Sequence, residues 1–229
     1  RDSITIELSN IQDLFSNNTE QFKIKLDYIY LDTPIFGDLI ISEIMSNPSP
    51  TKGILPEKKY IEIYNRSSKY IAANTLYISD SKSTAKLPVN TIEPFQYYLC
   101  INEIDSNFFS KINTINIKSL PSFNIESDFI SLKNTKNEYL FQFEYIQDMH
   151  QPDKIDGGYS LEKSNITVGA LETDNWQSNS TVGGSPGAPN SNDTMFKINP
   201  FKIIESYFKN DTLVIKFNHN TNPNKIGKA

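Results

Sequence analysis

Cysteine is almost missing from this chain of 229 residues: there is one, Cys100, in the apolar run QYYLCI. A single thiol excludes an internal disulfide framework and any CxxC metal site. A small buried residue on a strand is the favoured reading for it, ahead of a reactive thiol. Histidine is nearly as scarce. A Ser/His/Asp triad would have to use His150 or His219, and no GxSxG elbow accompanies either. Both histidines lie in polar loop sequence and are expected to be exposed. Positive charge is in deficit, with 22 Lys+Arg against 27 Asp+Glu and a net charge of -5. That balance argues against nucleic acid and anionic membranes as partners, because both need clustered Lys and Arg. No apolar run approaches the ~20 residues of a membrane-spanning helix. Heptads and long helical periodicity are absent too. Position 1 is Arg, which reads as a fragment or as a mature form whose signal peptide has been removed.

Aromatic residues are plentiful: 14 Phe and 12 Tyr suit strands with one buried face. Nine Gly and twelve Pro punctuate the chain without forming low-complexity tracts, so order is expected. The central stretch is DLIISEIMSNPSPTKGILPEKKYIEIY, Asp38 to Tyr64. Leu39–Ile44 and Lys59–Tyr64 read as two strands around a Pro-rich loop, with Tyr60, Glu62 and Tyr64 on one face and Ile61 and Ile63 on the other. Before them, Ser3–Leu8 and QFKIKLDYIYL alternate cleanly; the Phe22–Tyr30 strand is expected to cover another sheet, because it cannot be stable alone. Further strands are expected at Leu76–Ser79, Ala85–Leu87 and Thr91–Ile101 (interrupted at Pro94), then a hairpin of Asp128–Leu132 with Glu138–Tyr145. GYSLEK and a last pair, Phe201–Phe208 with Leu213–Phe217, follow. Phe108 and Phe109 suggest one helical turn. The run VGGSPGAPNSN, 182–192, has the composition of a domain end or linker.

Several clusters carry residue types that catalysis or ligand binding uses. Glu43, Glu62, Asp80 and Asp128 could be imagined as a carboxylate pair for glycoside hydrolysis, which needs a fixed spacing in a cleft; an outward face or a structural pair is the preferred reading. The loop DMHQPDKIDGG offers Asp148, His150, Asp153 and Asp156, but in no EF-hand or zinc spacing, so a solvated loop is expected. Trp176 could stack on a sugar, yet as the lone Trp of a sandwich it reads first as a packing residue. No catalytic, cofactor-binding or metal-binding residue is assigned.

The central block, about Asp38 to Asn192, resembles the lamin tail domain family in its bacterial surface-protein form. The residues that carry the likeness are IISEIMSNPSP, YIEIYN, LYISD, YYLC, LPSFNIESDFISL, GGYSLEK, DNW and GGSPGAPNS, in that order. Ser42 stands where Asn is common, and Leu76 where a Trp is frequent. The resemblance implies an all-β, immunoglobulin-like β-sandwich and a non-catalytic structural or interaction module, with no catalytic residues to carry over. It also implies an exported bacterial protein, at the cell surface, periplasmic or extracellular. The flanks resemble pieces of bacterial immunoglobulin-like repeats. The expected division is flanking strands at 1–36, the sandwich at 37–192 and flanking strands at 193–229, with residues 1–31 and 201–218 either pairing together or belonging to neighbouring domains. A monomeric fragment with a protein or glycan partner is expected. The alternative is a carbohydrate-binding or accessory domain of a secreted hydrolase, using Trp176 and surface tyrosines. Glu43 and Glu62 are expected to bond loops or backbone amides, so that Glu43→Gln lowers the melting temperature. The loop Asn47–Pro56 is the first place to look for a partner.

Overall fold

Alternation decides the first pairing. Ile4, Ile6 and Leu8 share a side of β1 (Asp2–Leu8), and Phe22, Ile24, Leu26 and Tyr28 share a side of β2 (Phe22–Tyr28). The strands run antiparallel with Ile4 opposite Leu26, Ile6 opposite Ile24 and Leu8 opposite Phe22, which gathers the apolar side chains on one face. The other face carries a Glu7–Lys23 ion pair. The computed structural model describes residues 2–18, 21–50, 56–166, 175–191 and 203–217. In it this hairpin forms one compact unit, Arg1–Asp32, and Thr33–Ala229 forms a second. Within the first unit no second sheet lies over the apolar face among the described residues, although the sequence expects one there.

The second unit is built from β3 (Leu39–Met45), β4 (Tyr60–Asn65), β5 (Ile71–Ala72), β6 (Leu76–Ser79), β7 (Thr84–Lys86), β8 (Thr91–Ile92), β9 (Tyr97–Asn102), β10 (Thr114–Ile117), β11 (Ser127–Asn134), β12 (Tyr139–Ile146), β13 (Leu161–Lys163), β14 (Trp176–Ser178), β15 (Ile203–Lys209) and β16 (Thr212–Phe217). One sheet has the order β10-β9-β4-β3-β13-β14 and the other β12-β11-β6-β7, with β5-β8 and β15-β16 as separate ribbons. All pairs are antiparallel except β9 and β10, which run parallel and are joined across a 3-10 turn, Glu103–Phe109. The sandwich core lies between the two sheets. Leu39, Ile41, Ile44, Ile61, Ile63 and Cys100 from one sheet meet Ile78, Leu132, Phe141 and Phe143 from the other. Cys100 is a buried packing residue, and burial pushes its thiol pKa up, away from reactivity.

One irregularity positions everything that follows. The β3–β4 register pairs Ile41 with Ile63 and then skips to Glu43 with Glu62, so Ser42 is an extra residue. A bulge of this kind shifts the side-chain alternation by one. Ile41 and Ile44 can therefore both face the core while Glu43 turns to the outer face. That outer face is not solvated. Met45, Tyr60, Leu99 and Ile101 make a second small core there with Phe109, whose ring meets that of Tyr60 edge-on at 6.0 Å.

Candidate functional site

On the outer face of the larger sheet three glutamates stand side by side. Glu62 of β4 is directly opposite Glu43 of β3, and Glu43 is directly opposite Glu162 of β13. All three are fully buried, at 0% exposure. Of the two preferred readings, an outward face or a structural pair, Glu43 and Glu62 take the structural one: they bond a covering loop through its backbone amides. The cover is the closing segment, residues 179–191, most of which lies in the run 182–192 that the sequence reads as a domain end or linker. It is fastened down through its own backbone. Ser185 N donates to Glu43 Oε1 at 3.0 Å, Gly187 N to Glu62 Oε2 at 2.6 Å and Ser191 N to Glu162 Oε2 at 3.0 Å. Side chains add to these bonds. The Tyr60 hydroxyl donates to Glu43 Oε1 at 2.7 Å, Ser42 Oγ to Glu62 Oε1 at 2.7 Å, and Asn179 Nδ2 and Ser185 Oγ to Glu162 Oε1. Asn190 bridges the strands beneath, its Nδ2 donating to Ser42 O at 2.9 Å and Lys163 O at 2.8 Å.

Neighbouring carboxyls held out of water disfavour one another's charge, and Glu43 and Glu62 both feel it. Burial first, and then the Glu162 carboxylate, push the Glu43 carboxyl up to about 7 from 4.5. Burial and then Glu43 push Glu62 well above its usual range, and burial with the adjoining Glu43 raises the Tyr60 hydroxyl. Glu43 Oε2 has no hydrogen-bond partner among the described residues, which suits a neutral acid better than an anion. A cleft with room for a sugar and a water between two carboxyls is what glycoside hydrolysis requires; here the space is filled by the closing segment.

Asp128, in β11, and Asp80, in the turn after β6, lie with the other sheet and do not join this cluster. Asp128 accepts from Ser81 N at 2.9 Å, Phe129 N at 2.8 Å and Asn124 N at 2.9 Å. Burial raises its pKa, but these donors together outweigh burial and hold it low. Asp80 closes its own turn, accepting from Lys82 N at 2.8 Å and Ser83 N at 2.5 Å. In the loop after β12, Asp148, Asp153 and Asp156 are exposed. His150, expected to be exposed, is half-buried instead, with Nδ1 3.0 Å from Ser178 Oγ; burial and then Lys154 lower its pKa. No group of three acidic, His or Cys residues is placed to hold a metal ion among the described residues. His219 lies outside the described residues. Trp176 is 4% exposed and stacks on Phe143 with ring centroids 4.2 Å apart, so it is not offered to a sugar. Of the loop Asn47–Pro56, the described start is tied down: Gly158 N donates to Asn47 O at 2.8 Å, and Asn47 Nδ2 to Asp156 O at 3.2 Å.

Sequence reasoning missed Glu162. Its strand is three residues long, too short for alternation to register, and only the three-dimensional pairing reveals it as the neighbour of Glu43. It also missed an open cleft of about 520 Å³ lined by Phe36, Asp38, Tyr64, Arg66, Ser67 and Phe95. No helix among the described residues is long and apolar enough to cross a membrane. No curated protein and no solved structure matches the chain. The family model of the Lamin Tail Domain matches residues 33–147, just over half of the chain, and covers β3 to β12. That family is one of non-enzymatic, immunoglobulin-like interaction modules, in agreement with the all-β sandwich and with acids committed to the fold. The chain belongs to the lamin tail domain family.

Proposed function

We propose that this chain is a non-catalytic interaction or spacer module of an exported bacterial surface protein, flanked by strands of immunoglobulin-like repeats. One observation carries the non-catalytic part: the three glutamates of the outer face are fully buried, and each accepts a backbone N–H of the closing segment. Acids used in this way hold a fold and have no path to a substrate. Export and the bacterial repeat context rest on the sequence likeness alone.

Two measurements test the reading. The purified chain, incubated with dye-linked polysaccharides, is expected to release no reducing ends; release that disappears in Glu62→Gln would overturn the non-catalytic assignment. Antibody against the chain is expected to label intact, unpermeabilised cells of the source organism, and labelling only after lysis would remove the surface assignment. A second reading, carbohydrate binding, loses Trp176 but is favoured by the open aromatic cleft.

A further inference from the structure

Phe95 occupies a backbone position that phenylalanine rarely takes. Its φ is 56°, and it follows Pro94 in the turn Glu93–Gln96. Proline followed by a residue at positive φ is a type II turn, where Gly or Asn ordinarily stands. A bulky side chain there is strained and persists only where its surroundings over-determine it. Asn65 does this from below: its Nδ2 donates to Glu93 O at 3.0 Å and its backbone N to Gln96 O at 3.1 Å. The strain is not repaid by packing, because the ring is 55% exposed. It forms one wall of the 520 Å³ cleft instead. Tyr64, steadied by the Tyr97 ring at 4.4 Å, lines the same space, as does Phe36.

The charged groups of the cleft hold its frame. Arg66 donates from Nε to Gly37 O and from Nη1 to Ile166 O at 3.4 Å, and its backbone N bonds Asp38 O at 2.9 Å. Asp38 Oδ2 accepts Lys69 Nζ at 2.6 Å and Ile35 N at 2.8 Å. The cleft is thus aromatic and close to neutral, with the Asp38 carboxylate and the Ser67 hydroxyl in its lining; Ser67 Oγ donates to Asn65 Oδ1 at 2.7 Å and accepts from Lys69 N at 3.2 Å, so toward a ligand it acts as an acceptor.

We propose that this cleft binds a neutral saccharide, with Phe95 and Tyr64 as platforms for the apolar face of a sugar ring and Asp38 and Ser67 as partners for its hydroxyls. The proposal rests on the interaction-module reading and names what that module recognises. Other occupants fit less well. An anion would meet Asp38, while the Arg66 guanidinium already serves two carbonyls. A strand-adding peptide would need an open sheet edge, but Tyr64 lies in β4, paired on both sides by β3 and β9. A Pro-rich peptide brings carbonyl acceptors and few donors, so it would desolvate the Asp38 carboxylate without adding a donor to those from Lys69 and Ile35 N. Sugar hydroxyls both donate and accept, and a sugar ring also has an apolar face to cover aromatic rings.

Phe95→Gly separates binding from folding. Glycine is at ease at positive φ, so the variant is expected to melt no lower than the parent chain while lacking the ring. The chain is screened on a glycan array and titrated by NMR with cellohexaose, laminarihexaose, maltohexaose and chitopentaose, and with a proline decamer. Expected is binding of at least one neutral saccharide at millimolar or better affinity, with shifts at the amides of Arg66, Ser67 and Phe95, weakened at least tenfold in Phe95→Gly. Phe95→Asn, which also tolerates this conformation, repeats the comparison. Failure of every saccharide, or binding unaffected by both variants, overturns the proposal. Shifts at the cleft produced by the proline decamer alone overturn the saccharide and leave the interaction module standing. Polysaccharide cleavage in the separate assay would remove the underlying reading instead.

Discussion

At Gly184 the closing segment passes so near the sheet that a single methyl group would not fit. A Cβ there would lie 2.1 Å from Glu43 Oε1 and 2.3 Å from Tyr60 Oη, and the backbone already sits at φ +86°. Neither neighbour can retreat, since each is buried and the two bond one another at 2.7 Å. Gly184→Ala is therefore expected to lose about 3 kcal/mol, combining the left-handed backbone penalty with overpacking. Urea unfolding followed by Trp176 fluorescence measures it, and a loss under about 1 kcal/mol would mean that the segment lifts away freely. Asn65 is a second pivotal residue. Besides holding the Phe95 turn, its Nδ2 donates to Lys69 O at 2.7 Å and its Oδ1 accepts from Ser67 N at 3.0 Å and Ser67 Oγ at 2.7 Å. Asn65→Ala leaves several buried groups unpaired and is expected to cost about 2–4 kcal/mol by the same measurement.

The closing segment behaves as an element although it has no regular secondary structure. Asn190 holds it to β3 and β13 at once, and Asn190→Ala would expose neither carbonyl to water while removing both bonds. The expected cost is about 2–3 kcal/mol. Amide hydrogen exchange should show Ser185, Gly187 and Ser191 losing protection together, ahead of β4; unchanged protection would show that Asn190 does not fasten the segment. How much was legible follows from what each element uses. The alternating strands were: β3, β4, β6 and the β11–β12 hairpin lie within a residue or two of where alternation puts them, and the break at Pro94 separates β8 from β9. The 3-10 turn with buried Phe109 was legible too. β5, β10 and β14 were not, because strands of two to four residues give no period, and a parallel neighbour such as β10 is set by the chain's return path. That the closing segment covers the sheet was not legible, because its Gly, Pro and Ser content signals only irregular backbone. Whether irregular backbone is linker or cover depends on what lies beneath it. The bulge at Ser42 hid the alignment of Glu43 with Glu62, since simple alternation from Ile41 would send Glu43 to the core.

For the whole molecule, the glutamate row sets how stability depends on pH. The Glu43 pKa rises from 4.5 to about 7 on folding, so the folded chain binds more protons than the unfolded chain between those values. Stability then falls as pH rises through this window; the favourable contribution is complete below 4.5 and gone above about 7. The group alone accounts for on the order of 3 kcal/mol, which corresponds to about 6–12 °C in melting temperature for a domain of this size. Asp128 acts in the other sense: its depressed pKa stabilises above about its ordinary 3.8 and is lost as pH falls below that. The melting temperature is accordingly expected to peak in mildly acid solution and to decline from pH 5 to pH 8. Glu43→Gln gives the sharper result. The sequence leads to one sign for this variant, a lower melting temperature. The buried row makes the sign depend on pH. At pH 5 the parent residue is a neutral acid, and the amide adds a second N–H to a place with no partner for it, so the variant melts lower. At pH 8 the amide still accepts from Tyr60 and Ser185 N while removing the buried Glu43 charge, so the variant melts as high or higher. Thermal scans of both proteins at pH 5, 6, 7 and 8 should cross, and parallel curves would show that Glu43 carries no proton of its own at neutral pH.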